Sequence, residues 1–340
     1  MSHRWARQLV VTVSVEPDDP AVAGRTGAYR SLDGLGRFQE LCRRCGVRPT
    51  YLLTFSASQE APCVELIRSA GDELEAGAHL HPEETPPIAE AERDNTVLRP
   101  SEVEPERLRA KLRSLADAVA EAAGRPPTAF RSGFFGLTAA QAATLVELGI
   151  EADSSLGPLE KTREGYPFLR APFEPYVMDP NDVCRVLDAD SGTRNSQLAT
   201  RNSELATRNS QLKRLVEVPM TSVFRRPFPR AFFGAFVALP GRVRGALRRL
   251  GLADVLRFRP AAASAEELLA VCERTERLGI PAVMTLHSNE LVAGASTTVA
   301  TEAASAAYFE RLERTFAWAH ERGWRSRTLT EVAREEKENA

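Results

Sequence analysis

Apolar residues in this chain gather in short blocks separated by stretches with helical spacing. Gln8-Leu-Val-Val-Thr-Val-Ser-Val-Glu16 is a β-branched run closed by Pro17 and two aspartates, which predicts a buried strand delivering its carboxylates to a loop mouth. The pattern continues with a helix over about 34–45, a strand over Pro49–Phe55 and a helix over about 60–75. A strand then ends in Gly77-Ala-His79-Leu-His81-Pro82. Beyond it the spacing predicts a long helix from Glu104 to Ala123, a short strand from Thr128 to Arg131, a helix from Thr138 to Leu148 and a strand from Ile150 to Asp153. Ser264, with Glu267 three residues on as capping-box partner, opens a helix running to Leu278; a strand over Ala282–His287 and a helix over Ala303–Gly323 follow. Alternation of this kind argues for parallel strands joined by crossover helices. The expected fold class is α/β, a distorted (β/α) barrel whose loops at the strand C-termini carry the site.

Residues 193–213 break the rhythm with three near-identical heptads, Thr-Arg-Asn-Ser-Gln-Leu-Ala and two variants. Each supplies one leucine, and the next heptad places asparagine at what would be the other core position of a coiled coil. They are too few and too polar for a zipper, so the repeat is expected to be an expanded loop. It would join a strand near 182–188 to one over Arg214–Pro219. The aromatic, arginine-dotted segment 220–260 is expected to cap or extend the barrel. Gripping an anionic substrate, or peripheral membrane contact through 224–259, are its other readings. Residues 1–340 are otherwise read as one domain.

Composition adds exclusions. Hydrophobic content of 43% with 26% charged residues is that of a globular protein, and a formal charge of −2 gives no global field to recruit nucleic acid. The first apolar run stops at Val15, too short for a transmembrane segment, and nothing near Met1 reads as a secretory signal, so a cytoplasmic location is expected. Cys42-Arg-Arg-Cys45 lies on a helical repeat with no second pair to complete a zinc site, and reads as thiols beside the core.

Polar chemistry falls at the predicted strand ends. His79 and His81 lie two apart, hence on one face of a strand, and imidazole is the commonest divalent-metal ligand near neutral pH. One or two further ligands would close a catalytic site with an open position. The other strand ends carry Ser14-Val-Glu16-Pro-Asp18-Asp19, Phe130-Arg131-Ser-Gly133, Asp153-Ser-Ser155 and Leu286-His287.

This order of motifs resembles the polysaccharide deacetylase superfamily, whose members hydrolyse N-acetyl groups from sugar polymers and related amides. The resemblance covers roughly residues 8–190 and 214–335. It implies a hydrolase acting on a carbohydrate or glycoconjugate, with Glu16, His79 and His81 as ligands of a divalent metal, zinc first, cobalt or another ion second. It further implies Arg131 as the arginine that orients the base, His287 as general acid, Asp153 as a substrate-pocket residue and Leu286 as an apolar lip. The histidines stand two apart where many members space theirs by four, and the arginine motif is Arg-Ser-Gly rather than the proline-containing form. The first motif departs furthest: relatives with a carboxylate-x-carboxylate start would place the base at position 14, here Ser14, which is left to the substrate side. An unassisted serine hydroxyl cannot serve as a base near neutral pH. Three readings follow. Glu16 binds metal while Asp18, Asp19 or a metal-bound hydroxide deprotonates; or Glu16 is the base and Asp18 the ligand; or the chain is a carbohydrate-binding relative with impaired catalysis. Another C–N amide hydrolase of the same fold is the remaining alternative.

Overall fold

Strand β1 (Gln8–Val15) is buried along its whole length, and the sheet is built outward from it. The computed structural model describes residues 4–23, 27–92, 98–160, 168–179, 181–187 and 214–340; the heptads lie outside these. Along one edge β1 pairs in parallel with β11 (Ala282–His287), in register from Leu9↔Ala282 to Ser14↔His287. Its other edge is shared. The first half pairs with β12 (Arg325–Arg327) and the second half with β2 (Thr50–Leu53). The parallel array continues through β3 (Glu75–Leu80), β4 (Ala129–Ser132), β5 (Ala152–Asp153) and β8 (Val216–Glu217), after which β6 (Tyr176–Asp179) and β7 (Asp182–Val186) add antiparallel. Strands covered on both sides read as continuous apolar runs, which is why β1, β2 and β11 were visible in the sequence.

The sheet curls into the expected distorted barrel, but irregular chain rather than a strand lines the free edge of β11. The Thr221 N–H donates to the Val283 carbonyl (3.1 Å), its Oγ1 accepts from the Val283 N–H (2.8 Å), and the Thr285 N–H donates to the Phe258 carbonyl (3.1 Å). Backbone groups that a strand would have satisfied are thereby paired.

Helices α1 (Leu35–Arg44), α2 (Ala61–Ala70), α3 (Pro105–Ala123) and α4 (Ala139–Glu147) lie among the first strands. Their ends follow capping chemistry. Glu104 accepts from the Glu106 and Arg107 N–H groups at the start of α3, and Gly124 (φ 69°) ends it. Two helices, α5 (Arg230–Ala238) and α6 (Gly241–Arg249), interrupt a hairpin of β9 (Ser222–Phe224) and β10 (Val255–Arg257). Phe224, Phe233, Phe236 and Ala253 of this 220–260 excursion share a small buried cluster with Leu159. Helix α7 (Ala265–Leu278) carries the Ser264/Glu267 capping box, and α8 (Glu302–Glu321) and α9 (Leu329–Asn339) follow. Cys42 is free and buried in α1, beside the core as read from its spacing. No helix of the described residues is long and apolar enough to cross a membrane.

Candidate metal centre

Glu16 sits one residue past β1, with its backbone clamped. The Ser288 Oγ accepts from its N–H (3.1 Å) and donates to its carbonyl (3.1 Å). His79 lies inside β3 and His81 just past it, so the two-residue spacing turns both rings to one side, 4.9 Å apart. His79 Nε2 is 2.7 Å and His81 Nε2 3.5 Å from the same oxygen, Glu16 Oε1. The three ligand atoms lie within 4.8 Å of one another.

The remote ring nitrogens show whether this set fits a cation. His79 Nδ1 faces the Arg131 carbonyl at 3.0 Å, and His81 Nδ1 faces Glu83 Oε1 at 3.0 Å; both partners only accept, so each Nδ1 carries its hydrogen. A neutral imidazole then points its Nε2 lone pair at a carboxylate. Two such lone pairs converging on one oxygen need either extra protons or a metal ion between them, and the outer acceptors are those that orient metal-binding histidines. Burial opposes the charge on Glu16, yet His287, His79 and His81 hold its carboxyl well below the usual range. Burial keeps His79 below its ordinary value, whereas Glu16 and Glu83 outweigh burial at His81 and hold it well above.

Asp18 is not brought to this centre. Its oxygens accept from the Arg30 (3.2 Å) and Ser31 (2.9 Å) N–H groups, and it is buried there, so the readings giving it the base or ligand role are corrected: it is a turn-capping carboxylate. Asp19 likewise accepts from the Ala21 N–H (2.9 Å) and the Thr297 hydroxyl (3.3 Å).

Arg131 is fully buried in β4, and its partners also differ from expectation. It donates to the Ser154 carbonyl (2.7 Å), Thr12 Oγ1 (2.8 Å), Ser154 Oγ (3.2 Å) and Ser14 Oγ (3.3 Å), all neutral, rather than to carboxylates of the first loop. Burial depresses it to about 10, against the charge of Asp153. Asp153 accepts from the Ser155 hydroxyl (2.8 Å) and N–H (2.9 Å). Burial and the adjacent Asp153 push Glu217 well above the carboxylate range, which favours its protonated form. Ser14, Asp153 and Leu286, expected on the substrate side, have no exposed surface and lie in the barrel interior.

His287 stands where the resemblance placed it, at the end of β11 with Nε2 3.7 Å from Glu16 Oε1. Its Nδ1 lies 3.1 Å from the Arg259 guanidinium and 3.5 Å from Glu290 Oε1, while Nε2 faces the centre. Glu290 anchors the pair, accepting from Arg259 (2.8 Å), the Tyr308 hydroxyl (2.9 Å) and the His287 N–H (3.1 Å). Burial notwithstanding, His287 and Arg259 bring its carboxyl down to about 2.

Several contributors escaped the sequence reading: Glu83, Arg259 and Glu290, together with Lys111 and Phe134. The buried Lys111 Nζ donates to the Pro82 (2.9 Å) and Thr85 (2.7 Å) carbonyls, fixing the chain just beyond His81. Phe134 packs its ring 5.3 Å from that of His81, in a turn where Phe134 (φ 54°) and Phe135 (φ 57°) are both left-handed. Consecutive strained residues of this kind cost about 1–3 kcal/mol each and concentrate at functional sites. Gly133 makes the turn possible, since a Cβ there would lie 2.2 Å from the Leu80 carbonyl oxygen. The Gly-Phe-Phe-Gly sequence after Arg131 was the available signal.

No family model matches the chain, and no curated protein matches it in sequence. Solved structures do. A Mycobacterium smegmatis protein described as a polysaccharide deacetylase is 17% identical and superposes with a TM-score of 0.56 over 98% of this chain and 92% of its own. A Pseudomonas aeruginosa protein given the same description is 16% identical (TM-score 0.49; 97% of this chain, 90% of that one). A Bacillus anthracis pseudoenzyme of carbohydrate esterase family 4 is 11% identical (TM-score 0.43; 97% of this chain, 66% of that one). The fold is therefore that of the polysaccharide deacetylases, and the resemblance read from the motifs holds at that level.

Proposed function

We propose that this chain is a metal-dependent hydrolase that removes the acetyl group from an N-acetylated sugar or sugar conjugate. The observation that carries the reading is the convergence of Glu16, His79 and His81 on one point, with both outer ring nitrogens already committed to acceptors. These three would hold a divalent cation, zinc or cobalt. When bound, such an ion supplies Lewis acidity toward an amide carbonyl and makes water acidic enough to act as a nucleophile near neutral pH.

The chain's own groups take the other tasks. Glu83 and the Arg131 carbonyl keep the imidazoles in the tautomer with Nε2 inward. His287 faces the centre through Nε2 and, as the imidazolium, would give a proton to the departing amine. Phe134, beside His81 and half-buried, offers an apolar wall for the acetyl methyl.

One observation favours a second reading, an impaired relative that binds its carbohydrate and turns it over slowly. The Ser14 hydroxyl is buried against Arg131, and Asp18 and Asp19 are spent on turns, so the first loop has no spare carboxylate to take the proton of the attacking water. Lack of a general base costs about a hundred- to ten-thousand-fold in rate.

Metal analysis and amine release test both readings. Wild type is expected to retain about one divalent ion per chain and H79A/H81A none. Free amine should appear from N-acetyl sugars only with the metal-loaded wild type, quickly under the first reading and slowly under the second. Equal metal in the two proteins would overturn the centre itself.

A further inference from the structure

Between Glu217 and Asp254 the chain carries seven arginines and no acidic residue, against a net charge of −2 for the whole. From Arg225 to Ala253 every residue is Arg, Phe, Pro, Gly, Ala, Val or Leu, with no neutral hydrogen-bonding side chain. The structure adds placement. Helix α6 has no buried residue; Leu247 packs against the phenylalanine cluster, while Val243 near its start and Leu250 just past its end stay open. Val243 is 39%, Leu250 70% and Leu252 37% exposed, three of the six large apolar side chains exposed among the described residues. Arg244 and Arg248 tie α6 down by donating to the Val237 (2.8 Å) and Leu159 (2.6 Å) carbonyls, while Arg242 and Arg249 are exposed and form no ion pair among the described residues. Within the same excursion a cavity of about 420 Å³ is lined by Phe224, Phe228 and Phe233 together with Arg226 and, from α7, Arg277.

We infer that residues 225–253 form a docking surface for an anionic lipid bilayer, with Leu250 and Leu252 entering the headgroup region and Arg242 and Arg249 meeting lipid phosphates. Charge complementarity selects an anionic partner. The open aliphatic side chains need an apolar layer beneath that charge, which a bilayer provides and a nucleic acid does not. The lack of amide and hydroxyl side chains likewise argues against reading bases. The surface is separate from the metal centre, so its test stands apart from the deacetylase reading.

The full chain should cosediment with vesicles of phosphatidylcholine mixed with phosphatidylglycerol, less with phosphatidylcholine alone, and be released by high salt. Each surface arginine contributes about fivefold in partitioning, so R242E/R249E should weaken binding at least about 25-fold. L250E/L252E should also abolish it. All four positions are exposed, so both variants should keep the wild-type circular dichroism and metal content. Absence of binding to anionic vesicles would overturn the inference. So would full binding by the leucine variant, which would mark plain polyanion attraction, or binding of a single-stranded RNA as tight as that of the vesicles.

Discussion

Restoring an aspartate at position 14 probes the weakest point of the proposed chemistry. Ser14 and Glu16 lie two apart along one extended segment and so share a face, and Ser14 is in register with His287 on the neighbouring strand. The Ser14 Oγ is 3.3 Å from Arg131 Nη1, so the carboxylate that S14D introduces would reach the same guanidinium, which has no carboxylate bonded to it. A charge-assisted hydrogen bond of about 1.5–3 kcal/mol then sets itself against a desolvation cost of several kcal/mol per buried ion, leaving stability little changed or slightly lower. The rate should respond far more. A positioned general base contributes about 10²–10⁴, or about 2.7–5.4 kcal/mol of barrier at 1.36 kcal/mol per decade. Wild type and S14D, loaded with the same divalent ion, would be compared by free-amine release from N-acetylglucosamine oligomers. A rise in kcat/KM of at least about a hundredfold is expected if Glu16 is a ligand and position 14 the missing base. An S14D protein with native circular dichroism and full metal content, yet wild-type turnover, would refute the reasoning and return the base role to Glu16.

Two further substitutions test supporting groups. E83Q removes the charge that holds His81 Nδ1–H and should lower metal affinity about 10–100-fold in a chelator competition while leaving the unfolding midpoint unchanged. E217Q tests the buried carboxyl pair: because the folded chain raises the Glu217 value well above 4.5, its contribution is complete below about 4.5 and is lost as pH rises through the folded value. Glutamine mimics the protonated acid, so the variant should gain stability over wild type progressively toward alkaline pH in denaturant titrations; a variant that loses ground there would contradict a proton held on Glu217.

The ligand set was legible because its signals are local. A strand ending in Glu16 and a His-x-His on another strand end need only a shared parallel sheet to meet, and β2, an apolar run paired with both β1 and β3, supplies it. Partners at long range were not legible. Asp18 reads equally well as a turn-former or a ligand, and only the Arg30 and Ser31 amides decide. Arg131 and Asp153 lie at strand ends as expected, yet their side chains run inward among Thr12, Ser154 and Glu217, a direction the spacing alone could not set. Arg259 and Glu290 reach His287 from a loop and a helical turn whose sequences have no distinctive pattern. The helix bounds were close because Thr138, Ser264 and Gly279 are strong caps. The β12 segment was missed because three polar residues, Arg-Ser-Arg, carry no apolar alternation.

The double occupancy of one edge of β1 bears on how the protein is made. Both β11 and β12 come from the last fifth of the sequence, whereas β1 leaves the ribosome well before them. During synthesis β1 has β2 along half of one edge and nothing along the other, a bare apolar template that must wait for residues 282–287 and 325–327. Glu16 and the two histidines therefore exist in the nascent chain long before the strand that carries His287 can lock them. Pairings this distant close slowly, so a released but unfinished chain is the species most exposed to misassociation.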